Sequence, residues 1–276
     1  MVEIKFGPGG NRGQNLLRAL KEDREFDIDG QELEFVYGVK MKDDTAKEAG
    51  KFAKELGLRL SIHAPYYINL LNDDETKLAN SKRHIIQSCR KGHILGAKWI
   101  VFHPGYYQKL DSKEAYEKMK ERISELIETI KEEKLDVELC PETTGKKSQF
   151  GTLKELLRLR EDTGSNLCLD FAHIYARNNG HIDYKEIFDM LDNADIKDLH
   201  CHFSGIEYGE KGERNHIQMT KKFAMPLLKE AKKHDISLFI VNESPKPLKG
   251  ALDMKKFWKE INNPDSKNTS LKKEHL

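Results

Sequence analysis

Little in the chain would place it outside the cell or in a membrane. Only four of its 276 residues are cysteine (Cys89, Cys140, Cys168 and Cys201), and no two of them form a CxxC pair. That argues against a disulfide framework and against a thiolate zinc site. Small buried thiols in a reducing compartment are expected instead. No apolar run approaches the roughly 20 residues a membrane-spanning helix requires, so no membrane association is expected. The opening MVEIKFGPGG lacks the basic-then-apolar order of a signal peptide, which points to the cytoplasm. Neither sign of charge is in excess. Forty-seven Lys and Arg against 46 Asp and Glu leave a net charge of +1. That total neither favours nor excludes a nucleic-acid partner, because a local basic rim acts independently of it.

What is present is an alternation of short apolar strands and amphipathic helical stretches. Strands are predicted near Glu3–Phe6, Glu34–Tyr37, Arg59–His63, Trp99–His103, Asp136–Cys140, Leu167–Asp170, Asp198–His202 and Leu238–Val241. Between them, apolar residues recur at helical spacing, as in Tyr116, Met119, Ile123, Leu126, Ile127 and Ile130. Eight strands, each followed by a helix, predict a single (β/α)₈ TIM barrel over residues 1–261. The rival is a doubly wound open sheet, which would gather its site at one switch point. Residues 262–276 are polar and are expected to be a flexible tail.

Six of the predicted strands end in residues able to bind metal, which fits a closed barrel. His63 closes LRLSIH, His103 closes KWIVFH and Glu142 closes LDVELCPE. Asp170 and His173 lie in NLCLDFAH, His202 ends DLHCH and Glu243 ends LFIVNE. A single histidine at a strand end is more often a hydrogen-bonded structural residue, and Asp170 alone could cap a helix. Six in series imply one pocket at the carboxyl ends of the strands, where divalent cations can satisfy groups too costly to bury unpartnered. Mixed imidazole and carboxylate donors suit zinc, and manganese less exclusively. So many ligands exceed one tetrahedral ion and match two or three. Such a centre suits in-line phosphoryl displacement, making phosphodiester hydrolysis the first chemical reading. Elsewhere, His84 and His93 are expected on a helix, His181 in a turn, His200 lining the barrel, and His234 and His275 exposed.

The motifs HAPY with INL after it, FHPG, PETTG, an Asp-x-x-His pair, a His after the seventh strand and NESP run in that order from about residue 59 to residue 245. Together they resemble the endonuclease IV family of apurinic/apyrimidinic (AP) endonucleases. The resemblance implies a (β/α)₈ barrel with three zinc ions, acting as a monomer on double-stranded DNA containing abasic sites. It implies cleavage on the 5′ side of the lesion and removal of blocking groups from 3′ ends. By position, His63, His103 and Glu142 would hold one zinc. Glu142 would bridge to a second held by Asp170, His202 and Glu243, and would be the catalytic carboxylate. His173 and His216 would hold a third. Tyr66 matches a family position that meets DNA near the lesion.

The chain departs from the family at the third ion. The loop EYGEKGERNHIQ has Arg214 where the family has an Asp two residues before His216. Glu213, Asn215 or water would have to replace it, and Arg214 could instead clamp a phosphate. Lys146, Lys147, Arg177 and Lys211 are further candidates for phosphate contact. Two other readings stand beside the DNA-repair endonuclease. One is a xylose-isomerase-like sugar isomerase or epimerase using a single divalent ion on Glu142, Asp170, His202 and Glu243. The other is a non-catalytic barrel that binds damaged DNA or a regulatory partner.

Overall fold

The computed structural model describes residues 3–263. Eight strands form a parallel ring: β1 (Ile4–Pro8), β2 (Gly30–Glu34), β3 (Arg59–His63), β4 (Trp99–Phe102), β5 (Glu138–Pro141), β6 (Cys168–Asp170), β7 (Asp198–Phe203) and β10 (Ser237–Asn242). They make two ladders of four, in the orders β1-β10-β7-β6 and β2-β3-β4-β5. Single parallel bridges, Gly9 to Glu32 and Glu142 to Cys168, span the two seams between the ladders. At those seams the Gly10 N–H donates to the Glu32 carbonyl at 2.9 Å and the Thr143 N–H to the Cys168 carbonyl at 3.0 Å. The fold is the expected TIM barrel.

Helices α1 (Leu16–Glu25), α2 (Asp43–Leu56), α3 (Glu75–Leu95), α4 (Ser112–Glu132), α5 (Leu153–Thr163), α6 (Phe171–Arg177), α7 (Tyr184–Asn193), α8 (Lys221–Ala231) and α9 (Pro247–Asn262) accompany the strands. Their ends are written locally. Asp111 with Glu114 and Thr152 with Glu155 form reciprocal capping boxes that start α4 and α5. Gly57, Gly96 and Gly164 stop α2, α3 and α5 at φ near 70, 71 and 76°, which a side chain would disfavour. Among the described residues, no helix is long and apolar enough to cross a membrane.

Alternation along each strand divides the apolar residues into two cores. Leu60, Ile62, Ile100, Phe102, Leu139, Leu169, Leu199 and Ile240 pack outward into the large core shared with the helices. Trp99, Val101, Cys140, Cys168, Phe239 and Val241 form a separate small core inside the barrel. All four cysteines are buried and unpaired, as expected. Gly7 and Gly30 lie where strands approach closely: a Cβ on Gly7 would stand 2.3 Å from the Gly30 carbonyl oxygen across the seam, and one on Gly30 would stand 2.3 Å from the Arg59 carbonyl oxygen of β3 and 2.9 Å from the Phe239 ring. Gly30→Ala is therefore expected to lower stability by about 1–3 kcal/mol. Denaturant unfolding checks this, and an unchanged midpoint would contradict the close approach.

Three expectations need correction or limitation. The second strand is Gly30–Glu34, not Glu34–Tyr37. The apolar stretch Phe35, Val36 and Tyr37 lies beyond the strand, with Val36 and Tyr37 in an exposed turn. An antiparallel hairpin, β8 (Gly205–Gly209) and β9 (Gly212–Ile217), was not anticipated after β7. Of the polar segment 262–276, residues 264–276 lie outside the described residues, and Asn262 closes α9.

Candidate metal centre

The alternation that sorts the core also assembles the site. His63 shares parity with Ser61, His103 with Trp99 and Val101, Glu142 with Cys140, and Asp170 with Cys168. His202 shares it with His200, and Glu243 with Phe239 and Val241. Each polar residue is thus the next inward position beyond the barrel's interior layer, at the carboxyl end of its strand. His173 comes from the first turn of α6, and Glu213 and His216 come from β9.

Glu142 sits at the centre and is fully buried. Its Oε2 lies 3.1 Å from His63 Nε2 and 3.0 Å from His103 Nε2. Its Oε1 lies 3.1 Å from His202 Nδ1 and 3.2 Å from His173 Nδ1. Glu243 Oε1 is 3.2 Å from the same His202 nitrogen. Asp170 serves two ends: Oδ1 accepts the His173 N–H at 2.7 Å, capping α6, while its buried Oδ2 has no hydrogen-bond partner. Potential ligand atoms of His63, His103 and Glu142 lie within 4.8 Å of one another. The same limit holds for Glu142, Asp170, His202 and Glu243, and for Asp170, His173 and His216. The eight residues named as ligands from the sequence therefore meet in one basin.

The hairpin closes one side of this basin. His216 Nε2 stands 3.3 Å from His173 Nε2, while its Nδ1 is 2.7 Å from Ser204 Oγ. Glu213 Oε2 approaches His173 Nε2 to 3.4 Å, so it is Glu213 that reaches the third group. Arg214 is exposed and its guanidinium lies over Gly209 within the hairpin. Arg177 is engaged with the Thr144 and Lys146 carbonyls and the Thr144 hydroxyl, bracing the loop after β5. Tyr66 is 58% exposed on the rim, with Tyr37 and Tyr67 edge-on at 6.2 and 5.5 Å. His84 and His93 lie on α3, as expected. His234, expected to be exposed, instead stacks on Phe188 at 4.9 Å and bonds Asp192 at 2.6 Å.

The electrostatics describe a cluster held together by protons. Burial alone would raise the Glu142 carboxyl, but the His103 and His202 imidazoles outweigh it and hold Glu142 well below the usual carboxylate range. Burial pushes Glu243 up to about 8. Burial also disfavours charge on His63, but the hydrogen bond and charge of Glu142 raise it to about 9. At neutral pH Glu243 and His63 carry protons that a cation would replace, while Glu142 is already ionised. The donor set, with the bare Asp170 Oδ2 aimed among imidazoles, fits divalent metal ions. Metal uptake should release protons, because below its pKa each group holds a proton that the ion must displace. Apparent affinity is expected to rise by roughly tenfold or more per pH unit from about pH 6 to 8, levelling off above 9. Chelator competition across that range measures it, and a flat profile would contradict the shared-proton cluster.

Sequence reasoning missed Glu32. It ends up wholly buried beneath the basin, with Oε2 2.7 Å from His200 Nε2 and 2.8 Å from Ser61 Oγ. Burial would raise its carboxyl, but His202 and His200 hold it well below the ordinary value. Placing β2 four residues too late hid this carboxylate. The Glu-Leu-Glu alternation at 32–34 was the available signal. His200 lines the barrel as expected, against Trp99 and Phe239.

A family model described as a xylose isomerase-like TIM barrel matches residues 20–264. The chain belongs to this family. An uncharacterized protein of Methanocaldococcus jannaschii is 38% identical over 272 residues, covering 94% of this chain and 98% of that protein. A probable endonuclease 4 of Staphylococcus carnosus is 30% identical over 187 residues, which are 63% of this chain and 62% of the relative. One from Mycoplasmoides gallisepticum is 29% identical over 146 residues, 51% of this chain and 47% of the relative. The chain thus spans about half to three-fifths of the endonuclease 4 relatives named here. Endonuclease IV from Thermus thermophilus superposes with a TM-score of 0.71 at 20% identity, covering 93% of this chain and 99% of that one. A D-psicose 3-epimerase superposes at 0.65 with 15% identity over 91% and 90% of the two chains. The resemblance to endonuclease IV read from the motifs is borne out by these relatives. The xylose isomerase-like barrel therefore carries proteins named for two chemistries, and the side chains in the basin must separate them.

Proposed function

We propose that the protein is a metal-dependent AP endonuclease that hydrolyses the DNA backbone 5′ to abasic sites and clears blocked 3′ ends. The observation that carries this reading is the position of Glu142 between two ligand groups. One of its oxygens faces His63 and His103, and the other faces His202 and His173, all at 3.0–3.2 Å. A single-ion site has no use for the His63–His103 pair. Two or three zinc ions, or manganese in their place, would be held by His63, His103 and Glu142, by Glu142, Asp170, His202 and Glu243, and by His173, His216 and Glu213. Bound there, such ions supply water activation and neutralise the oxygens of an in-line phosphoryl displacement. The chain's own part is to span both groups with one carboxylate, to keep the basin's floor dry beneath Glu142, and to present Tyr66 at the rim. An abasic sugar would have to rotate out of the duplex to reach that depth. Arg214, Lys147 and Lys211 are exposed cations of the nearby loops, suited to backbone phosphates. On this reading residues 1–261 work as one domain, as a cytoplasmic monomer on double-stranded DNA.

A duplex carrying one tetrahydrofuran abasic analogue tests the proposal. A cut on its 5′ side is expected. No cut with zinc supplied, and none in a manganese control, would end this reading.

A second reading has one observation in its favour. Glu142, Asp170, His202 and Glu243 alone make a compact single-ion group, which would suit a sugar epimerase or isomerase. Metal content separates the two: two or three tightly held ions per chain support the endonuclease, and one supports the epimerase.

A further inference from the structure

We propose that Glu32 is the positioning residue for His202, holding the imidazole by its inner edge so that Nδ1 is presented to the metal-binding basin. This inference rests on the metal-centre reading above. Glu32 is the fully buried inward residue of β2, paired in register with Ser61 of β3. Two donors clamp one of its oxygens: the Ser61 hydroxyl at 2.8 Å and His200 Nε2 at 2.7 Å. The other oxygen, Oε1, is left facing His202 Nε2 at 2.8 Å. The pair lies off the ideal hydrogen-bond axis and both atoms are buried, with the Cys168 thiol also close to His200 and His202. His202 Nδ1, at the opposite edge of the ring, points at Glu142 and Glu243.

The arrangement has a direct physical consequence. A carboxylate at Nε2 keeps the ring proton on that nitrogen and leaves the Nδ1 lone pair free to bind a cation. Because Ser61 and His200 hold Glu32 itself, the ring is fixed from below by three strands (β2, β3 and β7). Such a carboxylate orients the imidazole, and the chain contributes it from the one barrel strand, besides β1, that supplies no residue to the basin's candidate ligand groups.

Zinc affinity and stoichiometry, measured on the full chain by chelator competition and elemental analysis, test the proposal, together with the visible spectrum of the cobalt-loaded protein. Glu32→Gln is expected to weaken one ion by about 10- to 100-fold and to shift one set of cobalt bands, while the ion assigned to His63 and His103 keeps its affinity. Ser61→Ala, which deletes one hydroxyl, should weaken the same ion several-fold less. A purely structural Glu32 would lower only the melting temperature, and unchanged affinities in a folded Glu32→Gln protein would overturn the proposal. Should Glu32→Gln not fold, unchanged affinity and spectrum in Ser61→Ala would overturn it. If the unaltered protein binds no ion at all, the metal-centre reading falls as well, which distinguishes the two failures.

Discussion

Glu142→Gln should lower incision of an abasic duplex by about three orders of magnitude, the loss expected when a few kcal/mol of charge stabilisation is withdrawn at the reacting phosphate. Glutamine keeps the shape of the side chain and removes its charge. Its amide nitrogen carries no lone pair for a cation, so one of the two ligand groups loses its shared member. It would also remove the buried negative charge that His63, His103, His202 and His173 surround. Incision kinetics and elemental analysis on the same preparation check this. Turnover equal to that of the unaltered protein would place the activity elsewhere and would favour a barrel that only binds.

The second large effect concerns His63 and His103. Replacing both with Ala should remove one ion per chain and lower incision by about two orders of magnitude or more, while leaving Glu142, Asp170, His202 and Glu243 in place. The fold should survive, because both rings stand at the open mouth with 13% and 24% of the side chain exposed, so truncation leaves no closed cavity. The epimerase reading predicts the opposite result: the same metal content and no dependence on either histidine. Metal analysis with an abasic-site assay therefore decides between the chemistries in one variant. Retained incision with one ion fewer would remove His63 and His103 from the reacting centre.

The candidate residues at the strand ends were legible because the signal for each is local. Along β3, β4, β5, β6, β7 and β10 the side chains alternate, so a histidine or acid two positions beyond an inward residue must face the same axis. A short run such as KWIVFH carries that information in six residues. The same locality explains the error at β2. Hydrophobicity favoured Phe35, Val36 and Tyr37, but an interior strand position can be polar when other strands supply its partners. Glu32 finds His200 at a separation of 168 residues. No pattern within GQELE announces that partner. The hairpin was missed for a related reason: EYGEKGERNHIQ is strongly polar, and its partners on α6 are distant in sequence, with Ile206 packed on Ala172 and Ala176 and with His216 and Glu213 close to His173.

By itself, then, the sequence determined the alternation of strands and helices, the class of barrel, and the identity of the residues at the strand ends, since all of these follow from short-range periodicity. Tertiary structure alone decided which oxygen of Glu142 faces which imidazoles, that Glu213 rather than Arg214 turns inward, and that a buried carboxylate on β2 stands behind His202. Those outcomes depend on distances between groups tens to hundreds of residues apart, and closing the ring of strands is what sets such distances.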